Sequence, residues 1–586
     1  MKSHSLTVRS SLAQSSFWLL IPIVLSAFTH LWNPIGFPYA HNDEGHYMRR
    51  TMQVLHGLGP QETISVYYSP YDHPYFGQLF LASVLGIIGY PSSLHPTANT
   101  TTDSIHSIEM LYTVPRVLMG LLAVLDTFLI YKIAEVRYNR KVAFIASILF
   151  AVMPLSWLTR RILLDSIQLP FLLLSILFAV YCAKKNYCSS SLSLTSSSST
   201  TRRTTRLYNE EDNNNINKNK KKNTLLILLS GIFLGLAIFT KIPAFTMIPL
   251  VGFLVISTNK NKNNDLDDNS TIKRGIVRRN IITNLRNLNL KALGLWFIPV
   301  ILIPLIWPAY AISIGHFDDW FNGITWQAQR QQGNNPLLRI INTYFQIDPV
   351  LLILTSAGLV FTTVIKKDFW PMLWIVPFLI FLNFIGHISH FYLIPLIPLF
   401  CIAAAILVDT SNRLINTKKN IQQLLLPVAI ISAIAIFGLI NTTMLITTNL
   451  NSSYYKVSAL INEELPDNKK DAFIYNNNNN KKVTVIGDPR YFWIPKYVFY
   501  KDQHDYEPHY KKSSVKSEKI LLVVDKGFID VMSKKDKKAK AFKTIYENTN
   551  NIATFEANTN RYDLNKYPYT SMKLNSEKQI EIRRNY

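Results

Sequence analysis

The chain has 586 residues, a formal net charge of +24, 48% hydrophobic residues and only three cysteines. Its apolar residues collect into runs such as FWLLIPIVLSAF, ALGLWFIPVILIPLIW and LLLPVAIISAIAIFGLI; a bilayer core about 30 Å thick takes about 20 such residues per helix, which excludes a soluble globular protein. Lys and Arg concentrate in alternate connections between those runs, as the positive-inside rule prescribes for cytoplasmic loops, so most of the excess charge is topological and argues against a nucleic-acid surface, the basic C-terminal region being left without a role, while Cys182, Cys188 and Cys401 offer neither a disulfide framework nor a zinc spacing.

In chain order, the first apolar run (16–32) follows Lys2 and Arg9 without a small-residue cleavage site, and is expected to be an uncleaved span with a cytoplasmic N-terminus. Ten more spans are expected at 112–133, 142–159, 162–183, 224–241, 243–257, 293–313, 348–365, 369–386, 391–409 and 424–447. This pattern places 134–141, 184–223, 258–292, 366–368 and 410–423 in the cytoplasm, and each carries Lys or Arg. The opposite face receives 33–111, the Arg160–Arg161 turn, the Lys241 turn, 314–347, the His387–His390 turn and the C-terminal region. Segments 189–222 and 258–290 are rich in Ser, Thr, Asn and Lys, a composition that predicts disorder. Segment 76–90 is apolar but short, and suits an interfacial or re-entrant helix. Beyond 447 the chain turns polar. Strand-like runs KVTVIGD and KILLVVD, with YFWIPKYVFY between them, predict a small external α/β domain over 448–586. Asn99 and Asn451 stand in N-x-S/T sequons on the expected outer face.

The stretch HNDEGHYMRR directly after the first span carries the adjacent carboxylates Asp43 and Glu44. On a helix, neighbours diverge by about 100° and cannot share one pocket, whereas Asp43 and His46 share a face. One carboxylate then suits a general base. Spacing alone favours the plainer reading, in which Asn42 or Asp43 caps the helix and Glu44 complements its dipole. In YDHPYFGQLFLA, His73 is an acid, base or ligand candidate, or the mere boundary of a helix opened by Pro74. Arg161 and Asp165, four apart, suit a local ion pair; Lys241 suits snorkelling to the surface; Gly231 and Gly235 suit close helix packing.

Taken in order, D-E-x-H after the first span, His73-Pro74, Arg116 in YTVPRVLMG, Arg160 and Asp165 in TRRILLDS, and Gly231, Gly235 and Lys241 in GIFLGLAIFTKIPAF resemble the dolichyl-phosphate-mannose–protein mannosyltransferase family. HFYLIPLIPL is similar to a stretch of related lipid-linked sugar transferases, among them aminoarabinose transferases. The resemblance covers 16–250 well and 290–410 loosely. It implies an all-α polytopic GT-C fold of about eleven transmembrane helices over 1–447, catalytic in the first external loop 33–111, with the 448–586 α/β domain unassigned. It further implies an inverting transfer of a sugar, mannose in that family, from a polyprenyl- or dolichyl-phosphate donor to a hydroxyl of a protein, glycan or lipid. Asp43, with Glu44, would be catalytic; His46 and His73 would position the acceptor or a divalent cation whose ligands the spacing does not assign. Arg116, Arg160, Lys241 and Arg49 would bind the donor phosphate, with Asp165 in support. The expected setting is the plasma membrane of an archaeon or bacterium, with the active site and C-terminal domain outside. The family's H-P-P-L-G is here His73-Pro74-Tyr75-Phe76-Gly77, and neither a β-trefoil insertion nor a W-W-D signature is present. The rival readings are a transporter or lipid flippase, which predicts inverted repeats that the sequence does not display, a catalytically silent relative whose external domain binds a partner, and an aminoarabinose-transferase-like enzyme modifying lipid or glycan.

Overall fold

Runs of Leu, Ile, Ala and Phe bury no polar side chain and satisfy their backbone internally as helices, the geometry a bilayer demands. The computed structural model describes residues 18–61, 71–97, 99–192, 205–256, 290–329, 336–385, 389–415, 421–465, 482–501, 504–508, 519–525, 536–556 and 579–586. In chain order its first helices are α1 (Trp18–Leu31), α2 (Asn42–Leu55), α3 (Phe76–Ile87), α4 (Thr101–Arg137), α5 (Arg140–Val152), α6 (Leu164–Leu192), α7 (Thr205–Thr240) and α8 (Ile248–Ile256). There follow α9 (Leu290–Ser313), α10 (Phe317–Gln329), α11 (Pro336–Ile347), α12 (Pro349–Val360), α13 (Trp370–Phe384), α14 (Ile397–Ile415) and α15 (Ile421–Ile446).

Every expected span meets a helix, though not every one is a straight crossing. Among the described residues six stretches are long and apolar enough to cross: Thr101–Arg137, Leu164–Lys184, Lys221–Thr240, Leu290–Ser313, His390–Ser411 and Ala429–Ile446. Two expected spans are bent pairs, Arg140–Val152 with Pro154–Arg160 at 69° and Ile340–Ile347 with Pro349–Ile365 at 115°. Proline sets both breaks, because the residue before it is driven out of the α region; Met153 is extended, with ψ 140°. Three more are short helices, Trp18–Leu31, Ile242–Ile256 and Trp370–Phe384, and the short α3 occupies the expected interfacial segment. The chain is a multi-pass membrane protein, with six to eight crossings by length and composition among the described residues against the eleven expected.

The candidate span ending in α14 is 94% buried and forms the centre, whereas those of α9 and α15 are 28% and 22% buried and form the rim. The expected small-residue packing is present where α7 meets α9. A Cβ on Gly231 would lie 2.3 Å from the Trp296 carbonyl oxygen, and one on Gly235 2.6 Å from that of Pro299. Only glycine lets these backbones approach so closely.

After α15, α16 (Ser452–Glu464) leads into β1 (Val483–Gly487), the short helix α17 (Trp493–Tyr497), β2 (Asp505–Pro508), β3 (Lys519–Asp525), α18 (Asp536–Glu547), β4 (Asn550–Glu556) and β5 (Gln579–Arg584). The sheet order is β2-β1-β3-β5-β4, with β1 parallel to β2 and β3, and β5 antiparallel to β3 and β4. β1 is buried along its whole length, as a central parallel strand must be. Phe542 of α18 covers Ile486, Leu522 and Val524 on one face; Tyr454 and Trp493 pack with Val485 and Leu521 on the other.

Two expectations change. Helix α6 continues to Leu192 and α7 begins at Thr205, so helix enters the segment 189–222 expected to be disordered; residues 193–204, 257–289 and His387 lie outside the described residues. Asn451 is fully buried, and its amide donates to the carbonyls of Ile35 and Pro38 at 2.6 and 2.9 Å. That sequon has no room for a glycan in this fold, whereas Asn99 is exposed.

Candidate active site at the first external loop

Helix α2 is capped earlier than at either residue the sequence suggested, Asn42 or Asp43. The N-cap is His41, whose Nδ1 accepts from the Asp43 N–H at 3.2 Å, while Glu44 Oε2 accepts from the His41 N–H at 2.8 Å. This is a capping box in which the box carboxylate belongs to Glu44. The same carboxylate accepts from Arg116 Nη2 at 2.8 Å, Arg116 Nε at 3.3 Å and the Ile162 N–H at 3.0 Å. Arg116 spends its Nη1 on the Pro34 carbonyl at 2.9 Å. Both side chains are buried, and their hydrogen-bonding capacity is directed at each other and at backbone. Glu44 and Arg116, expected as a catalytic carboxylate beside Asp43 and a donor-phosphate ligand, form an internal lock between α2 and α4.

Asp43 turns the other way, as neighbours on a helix must. Its side chain is 29% exposed and lies 3.9 Å from His41 Nδ1. One turn along the same face stands Tyr47, buried to 2% and 6.2 Å ring to ring from His73. Burial first, and then the charges of Asp43, Asp165 and Asp72, hold the Tyr47 hydroxyl well above the ordinary tyrosine range. It therefore remains a neutral donor at physiological pH. Tyr47 was missed in the sequence, although its spacing of four from Asp43 is the signal that finds it.

His46, expected to share a face with Asp43, is 5% exposed and lies against Asp72, with Nε2 3.7 Å from Oδ2, and against Arg49, whose Nη2 is 3.3 Å from Nδ1. Burial first, then the Arg50 cation, pushes His46 down to about 4. Asp72 takes an ion pair from Arg50 at 2.7 Å. Burial opposes its charge, but Arg50, with His73 and His46, outweighs that and holds the carboxyl below the usual range.

Lys241 does not snorkel. It is 2% exposed, and its Nζ lies 2.6 Å from Asp165 Oδ2, so the close ionic contact of Asp165 crosses from α6 to the end of α7. The ammonium also sits over the Tyr392 ring at 4.1 Å and the Phe391 ring at 5.0 Å, a cation–π seat supplied by the turn His390–Leu396 ahead of α14. That turn places the His390 ring 6.4 Å from His41. Arg160 is 2% exposed; its Nη2 donates to the Trp32 and Asn33 carbonyls just past α1, and its guanidinium lies 5.7 Å from the Phe37 ring centre. A cation there complements the negative end of the α1 dipole. Among the described residues no group of three or more His, Cys, Asp or Glu side chains is gathered as metal ligands.

The geometry thus brings Asp43, His41, Tyr47, His73, Lys241, Asp165, Tyr392 and His390 to one end of the helical body. The sequence profile of the Alg9-like mannosyltransferase family matches residues 294–501, about a third of the chain, and overlaps the stretch 290–410 where the motif resemblance was loose. No curated protein matches the chain by sequence. Among solved structures, the oligosaccharyltransferase of Archaeoglobus fulgidus in its apo form is similar over 94% of this chain and 75% of that one, at 11% identity and TM-score 0.51. ArnT from Cupriavidus metallidurans is similar over 98% of both chains, at 10% identity and TM-score 0.53 in its apo state, and at 11% and 0.51 bound to undecaprenyl phosphate.

Proposed function

The chain has the GT-C fold of membrane glycosyltransferases, and on that premise we propose that it moves a sugar from a polyprenyl-phosphate carrier to an acceptor hydroxyl, with inversion and with Asp43 as general base. The sugar proposed is mannose, on the profile match. The carrier agrees with the undecaprenyl phosphate bound by the similar ArnT structure.

One observation carries the assignment of the base. Of the four carboxylates around α2, Glu44, Asp72 and Asp165 are exposed by 0, 4 and 3%, whereas Asp43 keeps 29%. A base has to reach the proton it removes. The acceptor O–H gives its proton to Asp43, the oxygen bonds to the anomeric carbon from the face opposite the carrier, and the bond from that carbon to the phosphate oxygen breaks with both electrons on the phosphate. Tyr47, neutral beneath Asp43, orients the hydroxyl or the sugar.

The leaving phosphate needs a cation. Arg116 is committed to Glu44, whereas Arg160 directs Nη2 to the end of α1 and leaves its buried Nη1 without a hydrogen-bond partner among the described residues, a second donor for the same phosphate. Lys241 directs one contact to Asp165, and an ammonium has three donors; it is the cation we assign to the donor phosphate, with Asp165 holding it in place. Arg49 and His73 flank the loop as contributors to donor and acceptor binding, and His46 supports the loop through Asp72. The C-terminal domain packs on this same loop, so both lie on one side of the membrane. The positive-inside rule, applied to the Lys- and Arg-rich connections of the sequence, supports taking that side as the one outside the cytoplasm.

The test is transfer from radiolabelled polyprenyl-phosphate mannose to serine- or threonine-containing peptides, to glycans and to lipid extracts, with carrier alone as a control for hydrolysis. Transfer that Asp43→Asn abolishes in folded protein supports the reading. Full activity in that variant removes the base, and transfer from a nucleotide sugar in place of the lipid donor removes the donor class.

A further inference from the structure

The C-terminal domain has no part in the reaction as described above, yet it grips the peptide from which Asp43 projects. Ala40 immediately precedes the N-cap of α2. Its N–H donates to Asn451 Oδ1 at 2.8 Å, and its carbonyl accepts from Arg490 Nη1 at 3.0 Å. Both polar groups of this one residue are therefore held by side chains that lie beyond the last membrane helix in sequence.

Arg490 is 1% exposed and sits in the turn Pro489–Tyr491, which follows the carboxyl end of β1. Its guanidinium stacks 4.9 Å from the Tyr39 ring centre, and Nη2 pairs with Asp525 at the end of the neighbouring parallel strand β3, at 2.9 Å. Its own N–H donates to Asp488 Oδ1 at 3.0 Å. On the far side of Asp43, Gly45 lies against the same residue: a Cβ there would stand 2.4 Å from Arg490 Cα. Arg490 thus touches the chain at 39–40 and again at 45, bracketing Asp43.

The seat of Arg490 is built into the membrane body as well. Its carbonyl accepts from the Tyr454 hydroxyl at 2.7 Å, that hydroxyl lies 2.6 Å from Tyr112 OH on α4, and Trp493 Nε1 donates to Tyr112 OH at 3.0 Å. The fork of an arginine addresses a carbonyl and a carboxylate at once, which a lysine cannot do with the same geometry.

We propose that Arg490 is a positioning residue for the transfer reaction, transmitting the seating of the C-terminal domain to Asp43, so that the domain is an integral part of the active site. The proposal rests on Asp43 being the base. A displacement of about 1 Å in a reacting group costs on the order of 10²-fold in rate, so a clamp of this kind is read in kcat.

The experiment uses full-length purified protein and the variants Arg490→Ala, Arg490→Lys and Asp525→Asn. Each is measured for kcat and KM with polyprenyl-phosphate mannose, and for amide hydrogen exchange by mass spectrometry. Arg490→Ala is expected to lower kcat by about 10²-fold with the donor KM within about two-fold, and to accelerate exchange at 39–47 while α6 stays unchanged. Arg490→Lys, which keeps a donor for Ala40, restores part of both. Asp525→Asn is isosteric, loosens only the tether, and is expected to lower kcat by about tenfold; it carries both readouts if the alanine variant does not fold. Unchanged exchange at 39–47, or a loss that falls on donor KM and leaves kcat intact, overturns the proposal. The two readings fail separately: an active Asp43→Asn variant removes the base, while exchange at 39–47 still reports whether Arg490 holds that peptide.

Discussion

The two sides of the first turn of α2 carry identical chemistry and meet opposite fates. On the inner side Glu44 is wholly buried and bonded by the Arg116 guanidinium, the Ile162 N–H and the His41 N–H. On the outer side Asp43, one residue earlier, keeps about a third of its surface open and faces His41 and Tyr47. A carboxylate with every lone pair engaged holds a fold together, whereas one with access to a substrate can take a proton. Adjacency in sequence distinguishes neither; the 100° step of the helix does.

Four experiments press on that contrast. The largest effect is expected on the open side: Asp43→Asn lowers kcat by 10²–10⁴-fold on the order expected for a positioned base, with the thermal transition of the purified protein unchanged. Equal catalytic loss in Glu44→Gln at unchanged stability would break the contrast. On the closed side, Arg116→Met leaves Glu44 buried without its cation and is expected to cost about 3–5 kcal/mol of stability, read as a large drop in the thermal midpoint. A midpoint within a degree of the wild type would show that the lock is not structural.

Acid addresses the support beneath the open side. His46 is held down to about 4 against an ordinary value of 6.5, so the unfolded chain takes a proton that the folded one refuses. Its contribution is complete above 6.5 and is lost as pH falls toward 4, about 3 kcal/mol in all. Asp72, held below its ordinary value, adds a further loss only below about pH 4. The rate of thermal inactivation between pH 7 and pH 4 measures this, and a flat profile would sink it. Away from the loop the smallest effect is expected at Gly235→Leu, which forces α7 from α9 and costs about 1–3 kcal/mol; activity per folded molecule should be retained.

The motifs were legible because they are local. Asp43, His73, Arg116, Arg160, Asp165 and Lys241 are separated by up to two hundred residues, and all but the inward-turned Arg116 and Arg160 fall in one cluster. Their partners were not legible. Asp165 at spacing four from Arg161 suggested a local pair, yet its 2.6 Å contact is with Lys241, 76 residues on. Lys241 at the end of an apolar run suggested a side chain reaching the surface, yet it is buried over Tyr392. Tyr47 and His41 carry no motif and escaped notice. Arg490, in a domain without a recognised counterpart, gave no sign of reaching α2.

Composition and periodicity by themselves determined that this chain crosses a membrane repeatedly, where its long apolar helices lie, and that a small α/β domain follows them, because burial of apolar runs and strand propensity act over neighbouring residues. Which carboxylate is locked and which is open, which cations are already committed, and that Arg490 and Asn451 hold Ala40 from both sides were decided by tertiary packing. The physical reason is that a charge removed from water takes whichever partner the fold brings within about 3 Å, and that partner is set by how helices and sheet meet, not by distance along the chain.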